Sequence, residues 1–250
     1  MKQRLGLTAA ALLAASLFAC GDDATTTTTT TTTLVATTTR AVTTTTAAPT
    51  TSLPPTFYSA EAVAYFEEVA FGEEFGDGTR EIRKWTHDVR IVVHGEPSDE
   101  DLVTLYDVVA DLNTIIGTIV IDIVAADGNF DIHFAPEPEF AAIEPNYVPV
   151  NMGFFWVWWD GGGNITDARV LVSTTGLTQA ERNHIIREEV TQSLGLMRDS
   201  FAFEDSIFYQ GWTETQEYSE LDELLIEMLY LPVVEPQMTV EAARAVIPGG

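Results

Sequence analysis

The stretch from Thr178 to Asp199 constrains this chain more than any other, because it defines one helix with two faces of opposite character. Thr178 followed by Glu181 is a capping box, in which hydroxyl and carboxylate satisfy orphan amides at a helix start. No Gly or Pro interrupts the run until Gly195, which suits the left-handed position just past a helix end. Ile186, Val190 and Leu194 recur every fourth residue and make an apolar stripe. At roughly 100° per residue, His184, Glu188 and Gln192 make a polar stripe on the opposite face, with Glu189 between the two.

Residues 188–199, Glu-Glu-Val-Thr-Gln-Ser-Leu-Gly-Leu-Met-Arg-Asp, resemble the metzincin signature H-E-x-x-H-x-x-G-x-x-H-D. In that signature three histidines hold zinc and the glutamate is the general base. Glu189, Gly195 and Asp199 match, whereas Glu188, Gln192 and Arg198 stand at the histidine positions. An amide is a poor zinc ligand and arginine cannot be one. The resemblance therefore implies a zincin-like domain in which zinc is not favoured. A single divalent cation of the calcium, magnesium or manganese type could be held by Glu188, Gln192 and His184, with Glu189 as base if the protein is an enzyme. The same ladder also reads as an ordinary polar helix face. Arg187 and Arg198 flank the carboxylate pair, and salt bridges from them would make the motif a packing device. With Gly195 and Asp199, they are read as structural.

The longer string R-E-E-x-x-Q-x-L-G-L-x-x-D-S runs from Arg187 to Ser200. It is followed by Ser206-Ile207-Phe208-Tyr209, and by Leu221-Asp222 and Leu229-Tyr230 in a last helix. It is similar to a bacterial domain family of unknown function found in secreted proteins and lipoproteins. The resemblance spans about residue 66 to the chain end and implies a fold rather than an activity.

Residues 1–19 read as a signal peptide, with Lys2 and Arg4 before an uncharged apolar run. Leu17-Phe18-Ala19-Cys20 resembles a lipobox, and Cys20 is the only cysteine, so no intrachain disulfide can form. Lipidation at Cys20 would hold the protein on the outer face of the cell membrane. Residues 20–56 are dominated by Thr, Ala and Pro, with too little apolar surface to offset chain entropy, and read as a disordered tether. Residues 57–250 have the length for one substantial core. The formal net charge is −26, and removing the signal takes away basic residues only, leaving Lys84 as the sole lysine. Without a basic patch to displace counterions, nucleic-acid binding is excluded as a working hypothesis.

Within the globular part the pattern predicts a short helix over 59–71 and strands over 89–93, 119–124, 130–134, 154–158 and 168–173. A helix capped by Ser98 and Asp101 runs to about residue 116, and one opened by Ser219 and Asp222 is stopped at Pro232. The Pro-rich segment 135–152 shows no periodicity. The fold class is α+β: a zincin-like mixed sheet of about five strands, two long helices and a C-terminal helix. By resemblance the strand before the last is the antiparallel edge bounding a cleft, so Phe154, Trp156 and Trp158 are candidates for a ligand-contacting rim, although alternate aromatics of such a strand face a core. His87, His94 and His133 lack sequence neighbours at metal-ligand spacing and read as surface histidines, with His133 or Asp131 a candidate to face the cleft. Asn164-Ile165-Thr166 matches a glycosylation sequon, read as fortuitous.

Two functional readings follow. One is a lipid-anchored binding or scaffold module for an envelope peptide, glycan or protein. The other is a metal-dependent peptidase or other hydrolase using Glu189.

Overall fold

The computed structural model describes residues 57–72 and 80–249, all within one compact unit, Ser52–Gly250. Cys20 and the segments read as a signal peptide and a tether lie outside the described residues. Helix α1 is Ala60–Ala70, strand β1 Val89–Gly95, helix α2 Asp99–Ile115, and strands β2 and β3 are Ile121–Val124 and Phe130–Ala135. A short 3-10 turn and helix α3, Phe140–Ile143, lead into strand β4, Gly153–Trp159, and strand β5, Ile165–Ser173. Helices α4, Gln179–Gln192, α5, Glu220–Tyr230, and α6, Val240–Val246, complete the chain.

The five strands form one mixed sheet in the order β2-β1-β3-β5-β4, parallel except for β4, which runs antiparallel to β5 along the edge. This is the α+β architecture that the sequence predicts, with the aromatic strand at its expected edge. Strand ends shift by one to three residues, most at β5, which begins at Ile165, and three further details differ from expectation. Strand β2 begins at Ile121 because the Val120 amide is taken by the Asp88 carboxylate, 2.9 Å away. The aperiodic segment contains α3, a single turn too short to show a pattern. Beyond Pro232, α6 forms on an unexpected Thr239 cap.

Alternation along the strands divides their side chains between two clusters. Val89, Ile91, Phe130, Ile132, Phe134, Val170 and Val172 face the main core with the helices. Leu171 and Phe154 face the other way, into a smaller cluster with Ala135, Phe140 and Tyr147. Arg169 secures the segment over that second face, donating to Glu144 Oε2 at 2.9 Å and to the Ile143 carbonyl at 3.0 Å.

The long helices are locked side by side. The buried carboxylate of Asp101 closes the α2 capping box and accepts from Gln179 Nε2 at 2.8 Å, with Arg182 Nε at 3.1 Å. Further along, Arg187 Nη1 meets Asp111 Oδ2 at 2.8 Å, and its guanidinium lies 4.4 Å over the Tyr218 ring. The expected pairing of Arg187 with Glu188 or Glu189 is thus replaced by a tie to α2. Its direction on the helix sends it to the apolar side, where a bidentate cation has a carboxylate and an aromatic face to meet.

Candidate functional site

Helix α4 carries the capping box expected at Thr178 and Glu181, and its apolar stripe of Ile186, Val190 and Leu194 is buried in the main core. Its polar stripe lines an open cleft of about 340 Å³, where His184, Glu188, Glu189 and Gln192 meet Asp199. Asn151, Met152 and Gly153 form one wall, and residues 209–213 form the other.

The second wall explains the downstream string. Ser200 accepts from Gln210 N at 3.0 Å and donates its amide to the Phe208 carbonyl at 2.9 Å, so residues 199–200 and 206–210 lie together. Behind them, Asp222 at the start of α5 accepts from Ser206 Oγ at 2.5 Å and from Ile207 N at 3.0 Å. Trp212, largely exposed, reaches over to donate to Glu181 Oε1 at 3.1 Å.

Two close approaches need glycine. At Gly153 a Cβ would lie 2.3 Å from Glu189 Oε1 and 2.5 Å from Ile185 Cγ2. The bare backbone of β4 is what lets the buried Glu189 carboxylate reach the strand. Gly195 has φ +119°, and a Cβ there would lie 2.0 Å from the Arg83 carbonyl oxygen. Gly153 escapes sequence reasoning, because one glycine at a strand start carries no pattern.

The polar groups of the cleft are tied to one another. His184 Nδ1 lies 2.6 Å from the Thr215 carbonyl, which can only accept, so this nitrogen carries a proton. Its Nε2 faces Glu188 Oε2 at 3.4 Å. Burial alone would lower the His184 pKa. The hydrogen bond and charge of Glu188, together with the Thr215 carbonyl, outweigh it and hold the imidazole above its ordinary value. The Gln192 amide donates to the Asp199 carboxylate. Arg198, at the third histidine position of the signature, is exposed and runs across the bare backbone of Gly72, outside the cleft.

An amide is a poor zinc ligand and Arg198 lies outside the cleft, so the three histidine positions of the signature do not supply a zinc donor set. His184 and Glu188 face each other, and the Gln192 amide nitrogen donates to Asp199. Among the described residues, the three-membered His/Asp/Glu group whose donor atoms converge within 4.8 Å lies elsewhere. The structure also does not bring the three aromatics into the cleft. Phe154 is 3% exposed in the second core cluster, Trp156 is half-buried against it, and Trp158 is 37% exposed beneath the Arg169 guanidinium. Their even spacing puts all three on the sheet face away from α4, so the expected rim at Phe154 is core. His133 and Asp131 share that same far face, not the cleft.

The chain belongs to the DUF2927 family, proteins of unknown function, whose match covers residues 59–249. No curated protein sequence matches. Two solved structures of myroilysin are similar at 9% and 10% identity, covering 60% and 66% of this chain and 82% and 92% of theirs, with TM-scores of 0.40 and 0.39.

Proposed function

We propose that this chain is a lipid-anchored module of the cell envelope that binds an extended peptide segment at the α4 cleft without a catalytic metal. The observation that carries the reading is the donor chemistry of the cleft, where Gln192 and the outward-turned Arg198 stand at two histidine positions of the signature and leave a polar, carboxylate-lined groove. Strand β4 supports it, since it is hydrogen-bonded to β5 on one side and ends the sheet on the other. An extended segment adds to such an edge through main-chain bonds. With Glu181, Glu188, Glu189 and Asp199 lining the groove, the matching side chain of the ligand is basic.

The test is calorimetric titration of residues 57–250 with short extended peptides that differ only in carrying lysine or glutamate. The lysine peptide is expected to bind better, and Glu188→Gln to weaken it about five-fold, the worth of one partly exposed charge pair. Glu189→Gln, altering a buried carboxylate against Gly153, should change affinity by less than about two-fold. Cleavage of the peptide with added Zn²⁺, Mn²⁺ or Ca²⁺, abolished by Glu189→Gln, would replace this reading with the hydrolase. The anchor at Cys20 is tested separately: Cys20→Ala should release the protein from membranes.

A further inference from the structure

We propose that His94, Asp131 and His133 form a binding site for one borderline divalent transition ion, of which Zn²⁺ is the representative, on the sheet face opposite α4. Strands β1 and β3 are adjacent and parallel, and their register sets His94 directly beside His133. Asp131 lies two residues earlier on β3 and therefore on the same face. The two imidazoles stack with centroids 4.4 Å apart and planes 14° from parallel. His94 Nε2 is 2.7 Å from Asp131 Oδ1, and one donor atom from each of the three residues lies within 4.8 Å of the others.

Two nitrogens and one carboxylate oxygen are the donor set that Zn²⁺ and neighbouring first-row ions prefer, whereas Ca²⁺ and Mg²⁺ favour oxygen alone. Donors on one tetrahedral ion with bonds of about 2.1 Å stand roughly 3.4 Å apart. Reaching that spacing requires the two imidazoles to turn out of their stack, by rotation about their own side-chain bonds, until their nitrogen lone pairs converge. Arg169 pairs in register with Asp131, yet its guanidinium is engaged by Glu144 and the Ile143 carbonyl. The His94 and Asp131 side chains are 39% and 41% exposed, so the remaining coordination position opens to solvent. A rigid two-strand platform with an open position is the arrangement of a reactive or ligand-exchanging ion rather than a closed structural one. This inference does not rest on the reading of the cleft, which lies on the other side of the sheet.

The experiment is calorimetric titration of ZnCl₂ into the untagged 57–250 chain, whose core is complete within those residues, with the visible absorption of bound Co²⁺ as a second reading. One equivalent is expected, weakened about ten-fold or more in His94→Gln, His133→Gln and Asp131→Asn. Asp131→Asn keeps side-chain shape, and circular dichroism melts of each variant establish that it is folded. No saturable heat with Zn²⁺ up to about 1 mM would overturn the site. So would binding unchanged in folded His133→Gln and Asp131→Asn, or binding lost instead in Glu188→Gln, which would put the ion in the cleft.

Discussion

Glu189 reaches the edge strand only because residue 153 lacks a side chain. Gly153→Ala would drive a methyl into both the carboxylate and Ile185 Cγ2. It is expected to lower stability by about 1–3 kcal/mol, the usual cost of overpacking, with urea unfolding as the check. A loss below a few tenths of a kcal/mol would mean that Glu189 can move aside freely. His184 makes a second residue-scale test. Its folded pKa is raised, so the folded state holds a proton that the unfolded chain gives up first. The stability this contributes is present below the unfolded value and is lost as pH rises through the folded one. Relative to His184→Gln, the wild type should therefore lose stability as pH rises above the ordinary histidine value of about 6.5. Parallel curves for the two proteins would remove the Glu188 interaction from the account.

At the scale of elements, the C-terminal end of α5 depends on one ammonium from outside the helix. Lys84 Nζ donates to the carbonyls of Leu229 at 2.8 Å and Val234 at 2.7 Å, and lies 5.2 Å over the Tyr230 ring. A cation there meets acceptors that the helix end leaves unpaired and the negative end of its dipole. Burial nevertheless lowers the Lys84 pKa from 10.5 to about 8, despite the charge of Glu235. Between those values the unfolded chain binds the proton and the folded one does not, so stability should rise from about pH 8 towards pH 10. Above that, tyrosines whose surroundings disfavour the phenolate, the half-buried Tyr218 among them with a pKa pushed up to about 12, reverse the slope. Chemical denaturation in steps across this window should show the rise in the wild type and not in Lys84→Met. A rise that persists in the variant would assign it to another group.

For the whole molecule the governing quantity is charge. The chain carries a formal net charge of −26, and its basic residues are few, so the acidic compact domain is self-repulsive. The ion pairs that the fold does make, such as Arg187–Asp111 and Arg169–Glu144, spend its few cations on holding elements together. Raising NaCl from about 10 mM to about 0.5 M screens the repulsion, and the melting temperature of the domain should increase. Falling stability over that range would show that these internal pairs outweigh the repulsion.

The sequence alone determined what depends on near neighbours. The capping boxes at Ser98, Thr178 and Ser219 close within four residues, and each helix starts where its box predicts. Alternation and turn residues likewise marked the five strands, and the i, i+4 spacing brought His184, Glu188 and Gln192 to one polar face. Tertiary structure alone decided what depends on residues distant in the chain. It turned Arg187 to Asp111 and Arg198 to Gly72, folded Asp199 back onto Gln192, and sent Phe154 into a second core that segment 136–150 covers. It also set His94 beside His133, residues 39 positions apart whose meeting is a matter of strand register. Local hydrogen bonding is specified by local composition, whereas cross-strand and cross-element contacts exist only once the hydrophobic layers have chosen their register.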